Sequence, residues 1–161
     1  MAVELRVSPH AEDYIRGSDM VSIMTGKWNE LYKIKTGKLG RVDLSHEFHV
    51  LLGVETENFN LLWSQRAFDY EWSAQKRFEM SYGSIPFQGT VDGYDKDKHM
   101  IIECKHTHSM NTMENMINFY MPQVQFYLYI SKAKQCLLSV ILGNKYDAVI
   151  IDSSKQYQDD M

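Results

Sequence analysis

The sequence has little cysteine and no long apolar run. Its two cysteines, Cys104 and Cys136, form no CxxC pair, which excludes a disulfide framework and an iron–sulfur cluster held by four cysteines of this chain. No apolar run approaches the roughly 20 residues that a membrane-spanning helix needs. The N-terminal stretch has no basic segment followed by an apolar one, so no signal peptide is recognised and a cytoplasmic location is expected.

Excess positive charge is also lacking. The net charge of −4 argues against a general nucleic-acid binder. The charge is uneven, however, because five bases and one acid lie between Lys27 and Arg41. This segment is either a solvated helix face or a local basic surface that binds a phosphate backbone, with Lys33 and Lys35 as candidate contacts.

What is present fits one globular domain. The chain has 161 residues, of which 44% are hydrophobic and 24% charged, enough for one compact core. We predict a single domain over residues 1–161, with a helical part at about 8–68 and a sheet with a helix at about 75–152.

Helices are expected first. Two short helical segments end at Gly26 and Gly37, residues that suit helix C-termini. A longer helix is predicted from Ser45, a possible N-cap, to Phe68. Apolar residues recur along it at helical spacing: Phe48, Leu52, Phe59 and Leu62.

After residue 68 the spacing of apolar residues changes from a helical period to the two-residue alternation of strands. Strands are predicted at residues 75–81, 86–94, 99–107, 134–143 and 146–152. A helix at 109–132 separates the third from the fourth, with a kink or restart expected at Pro122. This order predicts an α/β (α+β) fold with one mixed central sheet of about five strands flanked by helices.

Charged residues interrupt the apolar strand "HMIIECKH". Side chains alternate along a strand, so Glu103 and Lys105 share one face, opposite to Cys104 and His106. If strands 86–94 and 99–107 form a hairpin, Asp92 lies beside Glu103.

Two adjacent carboxylates repel each other unless a cation neutralises them. Oxygen ligands of this kind favour Mg²⁺ or Mn²⁺ over zinc. A nearby lysine can orient water or offset charge on a phosphate. Asp92 followed by Glu103-x-Lys105 is the signature of PD-(D/E)XK nucleases, whereas a surface ion pair between Glu103 and Lys105 is the other interpretation.

Further motifs extend the pattern: G-x-x-x-E at 53–57, V-D-G at 91–93, E-C-K at 103–105 and Q-V-Q-F-x-x-Y at 123–129. Together they resemble the lambda-exonuclease-like viral recombinases, which are alkaline exonucleases of the PD-(D/E)XK superfamily. The resemblance runs from about Arg16 to Asp152. It implies a restriction-endonuclease-like core.

By that resemblance, Asp92 and Glu103 match the metal-binding pair and Lys105 the catalytic lysine. The backbone carbonyl of Cys104 matches the main-chain metal ligand. Glu57 matches the helical glutamate of the metal site. Helical periodicity instead places Glu55 on the face of Phe48, Leu52, Phe59 and Leu62. The G-x-x-x-E register favours Glu57, which is therefore the predicted residue, with Glu55 as the alternative.

The resemblance also assigns residues around this centre. Gln125, with Gln123 and Tyr129, matches the polar and aromatic residues on the helix behind the site. Arg16 and Ser18 lie near the position of the 5′-phosphate pocket.

The implied function is a Mg²⁺-dependent exonuclease, with Mn²⁺ as a substitute, that acts 5′→3′ on double-stranded DNA ends. The 3′ tails would serve phage-type recombination with a single-strand annealing protein. A homotrimer is implied as well, and no membrane partner. The alternatives are an endonuclease or nickase of a repair or restriction type and a non-catalytic DNA-binding relative.

A zinc site is a rival interpretation because His99, Cys104, His106 and His108 are close in sequence. They lack the spacing of a closed zinc site, and Cys104 and His106 are expected to face away from Glu103. The sequence also has no P-loop, no H-E-x-x-H and no G-x-S-x-G.

Overall fold

The helices that open the fold are short except for one. The computed structural model describes residues 13–161. Its first three helices are α1 (Gly17–Met24), α2 (Trp28–Lys35) and α3 (Phe48–Phe68). Gly26 and Gly37, which follow α1 and α2, have φ angles of 78° and 72°, a conformation that glycine adopts without steric cost.

Two predictions reach beyond the described residues. Residues 8–12 of the predicted helical part lie outside them. The prediction about a signal peptide also concerns N-terminal residues that lie outside them. Within residues 13–161, no helix has both the length and the apolar character for crossing a membrane.

The long helix begins later than predicted. Glu47 is its N-cap residue, and the N–H of Ser45 donates to the side chain of Asp43. Ser45 therefore belongs to the turn before α3 instead of capping it. Helix α4 (Met113–Ser131) runs through Pro122 without a restart.

Six strands follow α3 along the chain. They are β1 (Lys76–Tyr82), β2 (Ile85–Val91), β3 (Gly93–Asp95), β4 (Met100–Thr107), β5 (Gln135–Leu142) and β6 (Lys145–Asp152). Strands β1 and β2 form an antiparallel pair, and the other four form a mixed sheet in the order β3-β4-β5-β6. The pair β4–β5 is parallel and its neighbours are antiparallel. A short helix, α5 (Lys155–Asp160), ends the chain.

The α/β (α+β) class is confirmed, but the sheet is divided differently. The strand predicted at 86–94 breaks at Asp92, where the chain leaves the β1–β2 pair and joins the four-stranded sheet. The break leaves the Asp92 carboxylate beside β4, where it accepts a hydrogen bond from the Cys104 N–H. The central sheet therefore has four strands instead of about five.

The four-stranded sheet lies between α4 and α3. Ile101, Leu138 and Val140 belong to the cluster that packs against α4, whereas Ile102 and Leu137 belong to the cluster on the α3 side. Because β4 is buried on both faces, any charged side chain on it needs partners within the protein.

Candidate active site

The first acidic residue lies at the junction between two strands. The register pairs Gly93 with Ile102, so Asp92 follows opposite Glu103. Asp92 is half-buried, and its Oδ2 accepts the Cys104 N–H at 2.7 Å. The main chain of β4 therefore fixes this carboxylate against the strand that carries Glu103 and Lys105.

Glu103 is the buried centre of the cluster, with 3% of its surface exposed. Its Oε1 accepts from Lys105 Nζ at 2.6 Å and from Gln123 Nε2 at 2.8 Å. Its Oε2 is buried and has no hydrogen-bond partner among the residues that the structure describes. A buried oxygen without a hydrogen-bond partner lowers the stability of the fold by about 1–3 kcal/mol, so this oxygen is expected to bind a ligand.

Burial shapes the electrostatics of both carboxyl groups. Desolvation, followed by the charges of Glu103 and Glu57, raises the pKa of Asp92 well above its ordinary value. Desolvation also raises the pKa of Glu103, although Lys105 opposes this effect. Both groups therefore favour binding a cation, whether a proton or a metal ion.

Lys105 lies on the same face of β4 as Glu103. Burial lowers the pKa of the Lys105 ammonium, but the charges of Glu103 and Asp92 outweigh burial, and the net pKa is raised. The ammonium also lies 4.7 Å from the centre of the Tyr120 ring, within range of a cation–π contact. Lys105 is thus a fixed positive charge at pH 7.

The helical glutamate approaches from α3. Glu57 is half-buried, accepts from Gln75 Nε2 at 2.8 Å, and its charge raises the pKa values of Asp92 and Glu103. Glu55 is exposed on the other side of the helix. Of the two candidates, the structure places Glu57 near the acidic pair.

The residues present fit a hard divalent cation. Within residues 13–161, no three His, Cys, Asp or Glu side chains form a complete metal-binding group. Mg²⁺ does not need one, since it commonly binds one or two carboxylates and completes its shell with water and substrate phosphate. The unpaired Oε2 of Glu103 and the nearby Asp92 carboxylate supply such a donor set.

The zinc interpretation finds no such support. His106 lies on the α3 side of the sheet, where its Nδ1 is 3.0 Å from the Thr56 hydroxyl. No group of His99, Cys104, His106 and His108 converges on a common point in the described part of the chain.

The predicted assignments on α4 need a correction. Gln125 bonds to the Asp152 carbonyl and accepts from the Ser154 N–H, away from Glu103. Gln123 is the glutamine that donates to Glu103, and it also donates to the Tyr127 hydroxyl at 3.1 Å. Tyr129 lies under the Lys132 ammonium and lines an apolar cavity instead.

Helical geometry explains why Gln123 contacts Glu103 and Gln125 does not. Successive residues turn by about 100°, so Gln123 and Gln125 point to opposite sides of α4. Tyr120 and Tyr127, at three residues before and four after Gln123, share its side. The predicted pair, Gln125 with Tyr129, and the pair that the structure places at the site, Gln123 with Tyr127, have the same four-residue spacing, so spacing alone does not distinguish them. Tyr120 and Tyr127 were not predicted as site residues. Once Gln123 is known to face Glu103, helical spacing identifies both of them.

Close packing holds Tyr127 in place. A Cβ atom at Gly17 would lie 2.5 Å from the Tyr127 ring, and one at Gly89 would lie 2.8 Å from it. Helix α1 and strand β2 can therefore press against this ring only where they carry glycine. The contact positions Tyr127, and through Gln123 it positions Glu103.

The basic candidates lie around α1 and α2. Arg16 donates to the Gln88 side chain at 3.3 Å, and Ser18 and Lys33 are exposed. Lys35 instead pairs at 2.8 Å with Asp19, a buried acid that sequence reasoning did not single out.

Arg41 also pairs with Asp19, at 3.1 Å. Asp19 thus ties the segment after α2 to the start of α1. Asp19 precedes the basic segment between Lys27 and Arg41, so the sequence alone does not show that it pairs with two bases of that segment.

The two glutamines give a matched test. Gln123→Ala should reduce catalytic turnover about 10–100-fold, because loss of a residue that orients a metal ligand has that effect. Gln125→Ala should leave turnover close to wild type and lower the free energy of unfolding by about 1–3 kcal/mol, because buried backbone groups lose their partner. Steady-state kinetics and urea unfolding of both variants measure this difference, and equal turnover in the two would contradict the placement.

Comparison with known proteins supports the fold. No protein-family model matches the sequence, and no curated protein matches it. Among solved structures, the alkaline exonuclease LHK-Exo from Laribacter hongkongensis is 13% identical with a TM-score of 0.73, and the match covers 92% of this chain and 81% of that one. A phage-related exonuclease from Haemophilus somnus 129PT is 14% identical with a TM-score of 0.71, over 91% of this chain and 87% of that one.

These likenesses establish the fold. The restriction-endonuclease-like core expected from the sequence motifs is confirmed, and it is shared with alkaline and phage-related exonucleases.

Proposed function

We propose that this chain is a metal-dependent DNA exonuclease of the lambda-exonuclease-like kind. The observation that carries the proposal is the cluster of Asp92, Glu103 and Lys105 at β4, in which Oε2 of Glu103 is buried and has no hydrogen-bond partner among residues 13–161. The fold shared with an alkaline exonuclease and a phage-related exonuclease supports the same chemistry.

Asp92 and Glu103 would hold Mg²⁺, with Mn²⁺ as a substitute, and Glu57 and the Cys104 carbonyl complete the proposed site. The bound ion supplies Lewis acidity and a water of lowered pKa. Lys105 offsets the negative charge that develops on the scissile phosphate. Gln123 keeps the Glu103 carboxylate in one orientation, and Lys105 restrains the same oxygen.

The substrate we propose is the end of linear duplex DNA, digested 5′→3′ to leave a 3′ single strand. Polarity follows from the resemblance in sequence motifs. A single-strand annealing protein is the partner expected on such a tail.

A comparison of DNA forms tests this function. Linear duplex should be degraded only with Mg²⁺ or Mn²⁺, and a covalently closed circle of the same sequence should stay intact. Label at a 5′ end should be released before label at the 3′ end of the same strand, as followed by gel electrophoresis.

Each of the other possible outcomes of this experiment would indicate a different function or polarity. Cutting of the circle would identify an endonuclease or nickase and contradict the exonuclease proposal. Binding of linear DNA without any cleavage, at several metal concentrations, would indicate a non-catalytic relative. Early loss of the 3′ label would reverse the proposed polarity.

A further inference from the structure

Helix α3 faces the sheet with polar side chains. The residues that it buries are Asn60 and Ser64, whereas Phe48, Phe59 and Leu62 are 77%, 60% and 50% exposed. The hydrophobic effect is non-directional, whereas a hydrogen bond needs a defined distance and angle. The hydrogen bonds of the buried polar side chains are therefore the directional restraints on where α3 lies over the sheet.

Asn60 binds two neighbouring strands through one amide, and it is 1% exposed. Its Nδ2 donates to the Lys105 carbonyl at 3.2 Å and to the Ser139 carbonyl at 3.0 Å. Its Oδ1 accepts from the Ser139 hydroxyl at 2.6 Å. Both N–H groups and the oxygen of the amide are thus used. A carboxylate at this position would place an oxygen against two carbonyls, and an apolar side chain would make none of the three bonds.

A hydroxyl network fixes the orientation of this amide. Because the Ser139 hydroxyl donates to Asn60, it accepts from the Tyr146 hydroxyl, which is 2.7 Å away. The network therefore runs in one direction, from Tyr146 through Ser139 to the Asn60 oxygen. The N–H groups of Asn60 are left pointing at β4 and β5. A buried polar network that is fully satisfied in this way is rigid, so it holds α3 at one distance from these strands.

Asn60 also lies beside the helical glutamate of the site. It follows Glu57 by three residues, so both lie on one side of α3. The residue before Glu57, Thr56, has its hydroxyl 3.0 Å from His106 Nδ1. Glu57 is thus flanked along the helix by two contacts to adjacent residues of β4, one to the His106 side chain and one to the Lys105 carbonyl.

We propose that Asn60, together with Thr56, is a positioning residue: by fixing α3 against β4, it holds Glu57 close enough to Asp92 and Glu103 to complete the proposed cation site. The inference rests on the proposed metal-dependent function and adds a residue that the sequence motifs do not include. Asn60 acts through Glu57 and does not touch the cation. Loss of a group that orients a metal ligand lowers metal affinity about 10–100-fold.

The dissociation constant of Mn²⁺, measured by isothermal titration calorimetry on the full-length protein without DNA, tests this role. Asn60→Ala should raise it at least about tenfold. Ser64→Ala is the matched control, because Ser64 is also buried on α3 but accepts from Trp72 Nε1 at 2.9 Å instead of contacting β4. Both variants should melt below wild type in circular dichroism, but Ser64→Ala should keep the wild-type dissociation constant.

A double-mutant cycle with Glu57→Gln separates positioning from a general loss of stability. Glu57→Gln should itself raise the dissociation constant, and Asn60→Ala should raise it no further in that background, because the two residues act as one unit. A purely structural Asn60 would leave the Mn²⁺ affinity of the folded protein unchanged. That result would overturn the inference. So would an equal effect of Asn60→Ala with and without Glu57, or a Glu57→Gln variant with wild-type affinity.

If Asn60→Ala does not fold, Thr56→Val applies the same test at the other contact. Valine has the shape of threonine but cannot bond to His106, so the dissociation constant should rise about 3–10-fold, the equivalent of one hydrogen bond. An unchanged constant would overturn the inference. Failure of the proposed function gives a different result, since wild-type protein would then bind no Mn²⁺. Wild-type binding that these variants leave unchanged contradicts the positioning role alone.

Discussion

Lys105→Ala is expected to abolish DNA hydrolysis, with a fall in turnover of at least about 10³-fold. Removal of one preorganised charge that stabilises the transition state costs about 10²–10³-fold. Lys105 also restrains Glu103 at 2.6 Å, so its loss disturbs the proposed metal ligand as well. Turnover on linear duplex at saturating Mg²⁺ measures the effect.

Lys132→Ala is the matched control for this variant. Lys132 lies 4.4 Å from the Tyr129 ring and Lys105 lies 4.7 Å from the Tyr120 ring. Both lysines therefore contact a tyrosine of α4. Of these two lysines, only Lys105 has a carboxylate partner among the ion pairs of the described residues. Lys132→Ala should keep wild-type turnover, and equal losses in the two variants would contradict a special role for Lys105.

Folding must be separated from catalysis for Lys105. Loss of its charge leaves Glu103 buried without a cation, and breaking such a pair can cost about 3–5 kcal/mol. Lys105→Met keeps the apolar stem and fills the space beside Tyr120. If Lys105→Met is folded and still hydrolyses DNA at more than about a tenth of the wild-type rate, the lysine is not catalytic.

The centre of the site is predictable from the sequence because strand geometry is local. Alternation along β4 fixes Glu103 and Lys105 on one face, and a hairpin register follows from the length of its turn. The structure pairs Gly93 with Ile102, as the predicted hairpin requires. These relations need no knowledge of distant parts of the chain.

Relations across the fold were harder to predict. Periodicity along α3 favoured Glu55 and the G-x-x-x-E register favoured Glu57, and periodicity failed because the side of α3 that faces the sheet is not its apolar side. The apolar side of α3, the usual indicator of the core face, is exposed, and the buried side carries Asn60 and Ser64. Asn60 is retained there because it donates to the carbonyls of Lys105 and Ser139. Tertiary hydrogen bonds therefore override hydrophobic periodicity in this helix.

Asp92→Asn should have opposite effects on metal-free stability and on metal binding. Burial, with the charges of Glu103 and Glu57, raises the pKa of Asp92. A carboxyl group whose folded pKa is raised stabilises the fold below its unfolded pKa, and that stability is lost as pH rises through the folded value. Asparagine stays neutral and can still accept the Cys104 N–H, so the metal-free variant should melt above wild type at pH 8 and near it at pH 4.

The same substitution removes a proposed metal ligand. Mg²⁺ or Mn²⁺ should raise the melting temperature of the wild type at pH 8, because a ligand that binds only the folded state stabilises it. This rise should shrink toward pH 4, where protons compete for Asp92 and Glu103. In Asp92→Asn the rise should be largely lost, together with at least about 10³-fold in turnover. Differential scanning calorimetry with and without metal measures both effects, and Asp97→Asn, in the exposed turn before β4, is the control. A variant that melts below wild type without metal yet keeps the full metal-induced rise would show that Asp92 is structural and that the cation binds elsewhere.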